Sequence, residues 1–360
     1  VFYIVLYFQP HYISNWVLMV DPIKRALSGG KSADRWFLYG FLYCLVMVVM
    51  GVRMLVKYRH NRYQLIRTGS VIFFQLSFAF LIPEILGRLN NPAVNLMVPW
   101  PLDYSFYYDY RLNGMLVDNE NYFLGMHVGT SMFVWGILLT LVVVPLFTYL
   151  YGKRWYCSWV CGCGGLAETL GDPFRQQSDK SLRAWRIERY VIHAVMVAVS
   201  VMTIMLIVHY RSGDPTINLG FASFNAFTVR EYYGFLISSI FAGVVGTGFY
   251  PIMGNRMWCR YGCPLAGLMG LVQRFKSRFR ITTNGGQCIS CGNCSTYCEM
   301  GIDVRHYAQR GQDIVRASCV GCGVCSAVCP RGVLRLENSS EDTGKRALDV
   351  RNLHVEMDEI

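Results

Sequence analysis

Eight cysteines near the end of the chain fall into two runs with the same spacing, C-x2-C-x2-C-x3-C. The first run is Cys288, Cys291, Cys294 and Cys298, and the second is Cys319, Cys322, Cys325 and Cys329. In this rhythm three thiolates bind one iron–sulfur cubane, and the fourth cysteine of each run ligates the other cluster. The runs therefore predict two [4Fe–4S] clusters, held by Cys288, Cys291, Cys294 and Cys329 and by Cys319, Cys322, Cys325 and Cys298.

Glycines inside the runs support this chemistry. Gly292, Gly321 and Gly323 allow sharp turns that bring backbone N–H groups toward the sulfurs. The first run ends in Cys298-Glu299 and lacks the proline that follows Cys329. Zinc sites do not need two interlocked runs of this kind. Residues 271–340 are thus predicted to form a bacterial two-cluster ferredoxin domain of the α+β class.

A second group of cysteines lies in an internal repeat, KRWYCSWVCGCGGLA at 153–167 and NRMWCRYGCPLAGLM at 255–269. The C-x-x-x-C motifs correspond at one constant offset, and at a helix end this spacing brings both thiols to one face. The four thiols could hold a further metal centre, with a redox-active dithiol pair and unligated thiols as the alternatives. Cys163 breaks the repeat and could substitute as a ligand. The predicted set is Cys157, Cys161, Cys259 and Cys263.

The elements that must position these cysteines are membrane helices. The chain has 360 residues, of which 53% are hydrophobic and 16% charged. Apolar runs long enough to cross a bilayer occur at about 36–56, 69–88, 123–150, 190–210 and 234–253. The opening residues 1–10 are too short to cross alone, and they are expected to be the end of another span, with an interfacial segment as the alternative. We therefore expect a mainly α membrane protein with about five to six transmembrane helices. Its predicted segments are an N-terminal partial span and loop (1–35), a helical domain (36–270), the ferredoxin domain (271–340) and a polar tail (341–360).

The net charge of +11 is concentrated in short blocks beside the apolar runs, which argues for membrane anchoring and against nucleic-acid binding. Four blocks, 56–67, 151–157, 175–189 and 254–263, should share the cytoplasmic side, with the less basic segments 89–122 and 211–233 opposite. The basic loop 21–35 does not fit this alternation. The pattern predicts a multi-pass protein of the bacterial inner membrane with its ferredoxin domain in the cytoplasm.

Three histidines could extend a redox path into the membrane. His127 and His209 lie near the outer ends of their spans and could bind haem b or a quinone headgroup at one depth. His193, at an inner end, could serve a quinone site near the clusters. The polar residues Gln75 and Glu84 are costly in lipid and should face protein, where interhelical hydrogen bonding is the expected role.

The spans, the two C-x-x-x-C motifs at inner helix ends (the second as CRYGCP) and the two-cluster domain together resemble the NapH/NosR group of membrane polyferredoxins. The resemblance covers most of 36–336 and departs from the pattern at Gly162, where the first motif lacks a following proline. It implies electron transfer between the quinone pool or a cytoplasmic donor and a partner across the membrane.

Three classes of function follow. The main expectation is an integral membrane electron-transfer subunit of a respiratory redox complex, working with other subunits. No catalytic triad, phosphate loop or Rossmann fingerprint accompanies the cysteines, so substrate chemistry is expected elsewhere. The alternative is an assembly factor that handles thiols or copper for a respiratory metalloenzyme, as the related CcoG type implies. A redox sensor is a third class, although no DNA-binding motif supports it.

Overall fold

The computed structural model describes residues 2–89, 96–117, 122–123, 126–218 and 223–338. The acidic residues Asp118 and Glu120 and the predicted polar tail 341–360 lie outside the described residues. In the described part the chain is mainly helical, with three short two-stranded antiparallel sheets.

The first half of the chain contains most of the predicted spans. Its elements are α1 (Phe2–Phe8), α2 (Ser14–Ser28), α3 (Arg35–Lys57), α4 (Arg62–Arg88), α5 (Asp109–Leu116), a hairpin of β1 (Tyr122–Phe123) and β2 (Met126–His127), and α6 (Val128–Tyr151). The short helices α7 (Arg154–Cys157) and α8 (Gly162–Thr169) follow.

The second half begins with α9 (Leu182–Ser212) and a hairpin of β3 (Thr216–Asn218) and β4 (Ser223–Asn225). A continuous helix α10 then runs over 226–248, followed by α11 (Tyr250–Met253), a π-helical turn (Trp258–Gly262) and α12 (Pro264–Lys276). The ferredoxin region contains β5 (Phe279–Thr283), α13 (Asn293–Thr296), α14 (Val304–Gln309), α15 (Val324–Ala327) and β6 (Leu334–Asn338).

Four of the helices in the described residues, α3, α4, α6 and α9, are long and apolar enough to cross a membrane. They confirm four of the five predicted spans, which is fewer than the expected five to six. The fifth predicted span, 234–253, differs from the others. Helix α10 begins earlier, at Ala226, so its first turns include Arg230 and Glu231, and its continuous helix ends at Gly248 because the chain bends before Tyr250-Pro251.

The helix starts follow from local capping residues. The side chain of Asp34 accepts a hydrogen bond from the Phe37 N–H at 2.9 Å, and Ser181 Oγ accepts one from the Ala184 N–H at 3.1 Å. These oxygens satisfy N–H groups that the first turn of a helix leaves unpaired. Helices α4 and α6 each contain a π-helical turn, which lies directly before Pro83 in α4 and before Pro145 in α6. Proline has no N–H group to donate, so it interrupts the regular α-helical hydrogen bonding at these places.

The N-terminal region packs against the end of α4. The predicted loop 21–35 is helical as far as Ser28, because α2 continues through Pro22 and ends at Gly29, which has a positive φ of 67°. Lys24 and Ser28 both bind the carboxylate of Glu84. Glu84 thus makes the interhelical contact expected for a polar residue in a span.

The two ends of the ferredoxin region are joined by one antiparallel pair of strands. Phe279 of β5 pairs with Asn338 of β6, and Thr283 pairs with Leu334. A bridge between Ile281 and Ile314 adds a third segment to the same edge. The short helices α13 and α15 each begin directly after a glycine with positive φ, Gly292 and Gly323, inside the cysteine runs.

Candidate redox sites at the membrane edge

The structure groups the first predicted ligand set around one small cavity. Its four cysteines all line a space of about 20 Å³: Cys288, Cys291, Cys294 and Cys329. Cys291 is exposed and Cys294 is buried, so this set lies near the surface of the ferredoxin region. Three members come from the first run and one from the second, which is the exchange that interlocked runs require.

The second set lies deeper. Burial raises the pKa of the Cys325 thiol, and the neighbouring thiols Cys322, Cys319 and Cys298 raise it further, so all four lie close together. The Ile302 N–H donates to Cys298 Sγ at 3.4 Å. Gly321 and Gly323 have φ values of 61° and 75°, a conformation that favours glycine. Buried thiols with backbone donors suit an anionic iron–sulfur cluster.

The loop of the second set is docked against the membrane region by hydrogen bonds to its backbone carbonyls. Tyr63, Gln64 and Arg67 of α4, Ser158 after α7, and Gln273 of α12 donate to the carbonyl oxygens of residues 319–322 at distances from 2.8 to 3.0 Å. Five donors from three parts of the chain fix one short loop. The position of the second set relative to the helices is therefore well determined.

A close approach at Gly321 gives the first prediction. A Cβ there would lie 2.6 Å from Arg154 Cβ and 2.9 Å from Phe279 Cζ, whereas a Cβ at Gly332 would meet nothing within 4 Å. The two glycines have nearly the same φ, 61° and 60°. Gly332→Ala is expected to cost about 1–2 kcal/mol from backbone strain alone. Gly321→Ala adds overpacking of about 1–3 kcal/mol.

Thermal unfolding of the two variants, each with its iron content, checks this expectation. Gly321→Ala should be the less stable variant, and it alone should loosen the ferredoxin region from the helices. Equal losses of stability in the two variants would show that the Gly321 loop is not tightly docked.

The four cysteines of the internal repeat meet in one buried core. Cys157, Cys161, Cys259 and Cys263 are all less than 9% exposed and share that core with Cys294, Cys319 and Cys325 of the ferredoxin region. We call these four residues the edge tetrad. Cys161 and Cys263 both immediately precede a helix, α8 and α12, and both have extended backbones, so the repeat holds in three dimensions.

The thiols of the edge tetrad lie within electrostatic reach of one another. Burial raises the pKa of Cys157 to about 12, the Lys153 ammonium opposes this, and Cys161 and Cys259 raise it again. Arg256 Nη1 donates to the Cys157 carbonyl at 3.1 Å and lies 3.7 Å from Cys259 Sγ, so one guanidinium joins the two repeats. Among the described residues, no three His, Cys, Asp or Glu side chains converge closely enough for a single metal ion.

Cys163 differs from the edge tetrad because it is exposed, and it borders a cavity. This larger cavity, which we call the first cavity, has a volume of about 370 Å³. It is lined mostly by apolar and aromatic side chains, together with Cys161, Cys163 and Cys259. A hydrogen bond from Cys163 lowers the pKa of Cys161 to about 7 against the effect of burial. Gln75, in the π-helical turn of α4, donates to the Val160 carbonyl at 2.6 Å in the cavity wall.

A buried ion network joins the repeat units to the ferredoxin region. It comprises three guanidiniums and three carboxylates, all 5% exposed or less: Arg67, Arg175, Arg256, Glu168, Asp172 and Glu299. Glu168 binds Arg67 and Arg256, and Arg175 Nε lies 2.7 Å from Asp172. The network balances charges that would otherwise be costly to bury.

Glu299 links the ferredoxin region to this buried ion network. Its carboxylate lies 3.0 Å from Arg256 Nε and 2.5 Å from Arg175 Nη1, and its backbone carbonyl accepts from Ser178 Oγ at 2.7 Å. Burial raises the pKa of Glu299, but Arg256 and Arg175 outweigh it and hold the pKa at about 2. In the sequence, Glu299 was notable only because it replaces the proline that usually follows the last cysteine of a run. In the structure, its carboxylate and carbonyl hold the ferredoxin region against the repeat units.

The basic blocks of the sequence contribute much of this buried charge. Anchoring at the membrane surface was expected for them, yet Arg67, Lys153, Arg175 and Arg256 are each at most 1% exposed. Apart from Asp172, which lies three residues before Arg175, their partners are carboxylates and carbonyls distant in sequence, which no local pattern could indicate. All four blocks nevertheless lie at the same end of the helices, beside the ferredoxin region.

The histidines predicted as haem or quinone ligands lie outside the cysteine sites and the buried ion network. His209 Nε2 is 2.9 Å from Asp109 Oδ2, and its ring packs edge-on against Phe227. His127 lies in β2, opposite Tyr122, and its carbonyl accepts from Ser131 Oγ. A haem or quinone at His127 and His209 stays a prediction. His193 lines a second cavity, described below.

Comparison with known proteins gives two matching families. A family model described as a 4Fe-4S binding domain matches residues 133–181 and again 233–282, so it covers both repeat units. A model described as a 4Fe-4S dicluster domain matches residues 287–334. No solved structure matches the chain.

Three curated relatives are similar over part of the chain. YccM of Escherichia coli (strain K12), provisionally named an electron transport protein, is 27% identical over 47% of this chain and 46% of its own length. The methylamine utilization ferredoxin-type protein MauN of Methylobacillus flagellatus is 27% identical over 45% of this chain and 53% of its own. The regulatory protein NosR of Stutzerimonas stutzeri is 20% identical over 79% of this chain and 38% of its own. The chain spans about half the length of these relatives or less.

Apolar helices, a repeated 4Fe-4S binding unit and a dicluster region define a membrane-associated polyferredoxin. Two of the relatives have names that refer to electron transport or to ferredoxin, YccM and MauN. The similarity to NosR of Stutzerimonas stutzeri agrees with the resemblance to the NapH/NosR group noted in the sequence.

Proposed function

We propose that the chain is an integral membrane electron-transfer subunit that relays electrons between a cytoplasmic or quinone-pool partner and a respiratory redox complex. The observation that supports this most directly is the single buried core shared by the edge tetrad and the ferredoxin cysteines. When bound, iron–sulfur clusters supply one-electron transfer. Electron tunnelling weakens steeply with distance, so a relay needs its centres held close together in rigid, packed protein.

The chain's own residues provide that rigidity. The carbonyl contacts at residues 319–322 and the buried ion network hold the second ligand set against the repeat units. The first set, with Cys291 exposed, faces outward, where a partner could approach. The first cavity, apolar and beside Cys161 and Cys259, offers room for a quinone headgroup.

We also propose that the edge tetrad holds a further iron–sulfur centre. A copper-handling or thiol-exchange factor needs exposed, exchangeable thiols, whereas all four tetrad thiols are buried. The assembly-factor alternative has one observation in its favour. Cys163 faces the first cavity and hydrogen-bonds Cys161, an arrangement suited to dithiol chemistry.

Iron and acid-labile sulfide per chain, measured on anaerobically purified protein, test the further centre. About twelve irons are expected for wild type and about eight for Cys259→Ser, because each [4Fe–4S] centre holds four. Cys44→Ser is the matched control, since Cys44 is a buried cysteine outside every motif. Eight irons in all three proteins would remove the further centre and favour thiol chemistry.

The rate of electron transfer from the ferredoxin region to a quinone tests the relay itself. In nanodiscs, a ferredoxin region reduced with dithionite should be reoxidised by a short-chain quinone in wild type and Cys44→Ser, and only at background rate in Cys259→Ser. A full rate in Cys259→Ser would mean that electrons do not pass the edge tetrad.

We further propose that the ferredoxin region lies on the cytoplasmic side of a bacterial inner membrane. The clustering of the four basic blocks beside that region supports this orientation. Protease added to intact spheroplasts should leave the ferredoxin region uncut, and cleavage there without lysis would reverse the orientation.

A further inference from the structure

A second cavity, of about 240 Å³, lies between the inner end of α9, helix α12 and the ferredoxin region. Water occupies about 30 Å³ per molecule in the liquid, so the space can hold a polar group larger than a single water. Five basic side chains line it: Lys153, Arg189, Arg260, Arg274 and Arg316. We call it the basic cavity.

The charge of the basic cavity is not balanced by protein carboxylates. Glu188 is the one carboxylate in its lining, and it already binds Arg260, with Glu188 Oε2 at 2.7 Å from Arg260 Nε. None of the ion pairs between described residues includes Lys153, Arg189, Arg274 or Arg316. Four cations therefore face one space without a carboxylate partner in the described part of the chain.

Lys153 lies in the deepest wall. It is 1% exposed, and its Nζ makes one weak hydrogen bond, to the Ala266 carbonyl at 3.3 Å. An ammonium group has three donors, so most of its bonding capacity is unused there. Anionic clusters near Cys157 and Cys319 would compensate part of its charge. Arg189 and Arg274 are exposed and Arg316 is half-buried, so an anion that enters from the surface could reach all three.

Two of those arginines converge on one aromatic ring. Arg316 Cζ lies 4.3 Å from the Trp185 ring centroid, and Arg189 Cζ lies 5.2 Å from it. Tyr307 orients Arg316, because Arg316 Nη1 donates to the Tyr307 hydroxyl at 2.9 Å. Holding two guanidiniums together against their repulsion is favourable when an anion lies between them.

We propose that the basic cavity binds a phosphate-bearing anion. Guanidinium forks and a buried ammonium are the groups that recognise phosphate. The site lies at the membrane edge, and on the same turns of α9 Leu182 and Tyr190 are 73% and 68% exposed. An anionic phospholipid could therefore place its headgroup in the cavity and its acyl chains along α9.

Occupancy would also influence the redox path, a consequence that rests on the proposed function. Cys259 forms part of the cavity wall, and Lys153 acts on both Cys157 and Cys319. A bound anion would offset the positive field of the cavity at these thiols. Electron transfer would then depend on the lipid composition of the membrane.

Native mass spectrometry of the full holoprotein, released from nanodiscs of phosphatidylcholine with or without phosphatidylglycerol, tests the binding directly. Wild type is expected to retain phosphatidylglycerol at least about tenfold more than Arg189→Gln/Arg316→Gln does. Arg183→Gln/Arg186→Gln is the matched control, because it removes the same charge from exposed positions of the same helix. The control should retain lipid as wild type does.

Two further measurements show whether the phosphate group comes from a lipid or from free phosphate, and whether a loss of binding is due to misfolding. Protection of wild type from thermal unfolding by inorganic phosphate in pure phosphatidylcholine, lost in the double variant, would establish a free phosphate anion as a ligand of the site. Arg274→Gln, at an exposed position of the wall, should weaken retention with full iron content. Equal lipid retention by wild type and double variant, with no phosphate effect, would overturn the proposal. The iron content is not used to judge anion binding. The anion-binding proposal can therefore fail while the proposed electron relay stands.

Discussion

Replacing Glu299 with glutamine is expected to destabilise the chain by about 3–5 kcal/mol, because it leaves buried guanidiniums without their counter-charge. Arg256 and Arg175 are each about 1% exposed or less and both bind this carboxylate. Glutamine keeps the size of the side chain and loses only the charge. The cost should appear at the contact between the ferredoxin region and the membrane helices, which Glu299 bridges.

Thermal unfolding and limited trypsin digestion measure this effect. Lys276 and Arg278 are exposed where α12 leads into β5, and the Arg278 N–H donates to the Tyr149 carbonyl at 2.8 Å. Release of the ferredoxin region would break that bond and speed cleavage at 276–278. Glu337→Gln is the control, since it removes the same charge from a half-buried position opposite Arg280 on the strand pair. It should cost no more than about 1 kcal/mol.

The second large effect is expected at Lys153. Lys153→Met should lower the midpoint potential of the second ligand set, and of any centre in the edge tetrad, by on the order of 50–100 mV. The ammonium opposes the burial effects that raise the pKa values of Cys157 and Cys319, so it stabilises negative charge at both places. A reduced cluster carries one more negative charge than an oxidised one, and without the ammonium it becomes harder to form.

Redox titration followed by electron paramagnetic resonance resolves the centres. The first ligand set, Cys288, Cys291, Cys294 and Cys329, provides the internal control and should keep its potential. Lys276→Met, at an exposed lysine, should shift none of the potentials because solvent screens its charge. Stability should fall less in Lys153→Met than in Glu299→Gln, since Lys153 is a buried cation that has no carboxylate partner among the described residues. An unchanged potential at Cys319 and its partners would contradict this account.

The two predictions separate two kinds of buried charge. The Glu299 carboxylate neutralises the cations around it, so removing its charge lowers the stability of the fold. Lys153 has no such carboxylate partner, and its loss is a change in electrostatic potential at neighbouring thiols. A substitution series that treated both as generic buried ion-pair residues would miss this difference.

Parts of the molecule could be predicted because their signals are local. The cysteine runs are ligand patterns set by the reach of a short loop around a cluster, and the matching dicluster family confirms the 4Fe-4S character of the C-terminal region. Four membrane helices follow from continuous apolar stretches. The fifth span was less accurate because hydropathy does not mark where α10 begins, near Asn225, whose side chain accepts from the Phe227 N–H.

The amino-acid sequence alone determined the iron–sulfur class, the repeat and the membrane character, since each depends on residues within a few turns of one another. Only the tertiary structure decided what the basic blocks do. Arg67, Arg175 and Arg256 pair with Glu168 and Glu299 across the fold. Lys153 and Arg316 instead line a cavity whose one carboxylate, Glu188, already binds Arg260. Whether a charge is anchored, paired or left for a ligand depends on which distant groups the packing brings beside it, because desolvation and Coulomb attraction are settled by position in space.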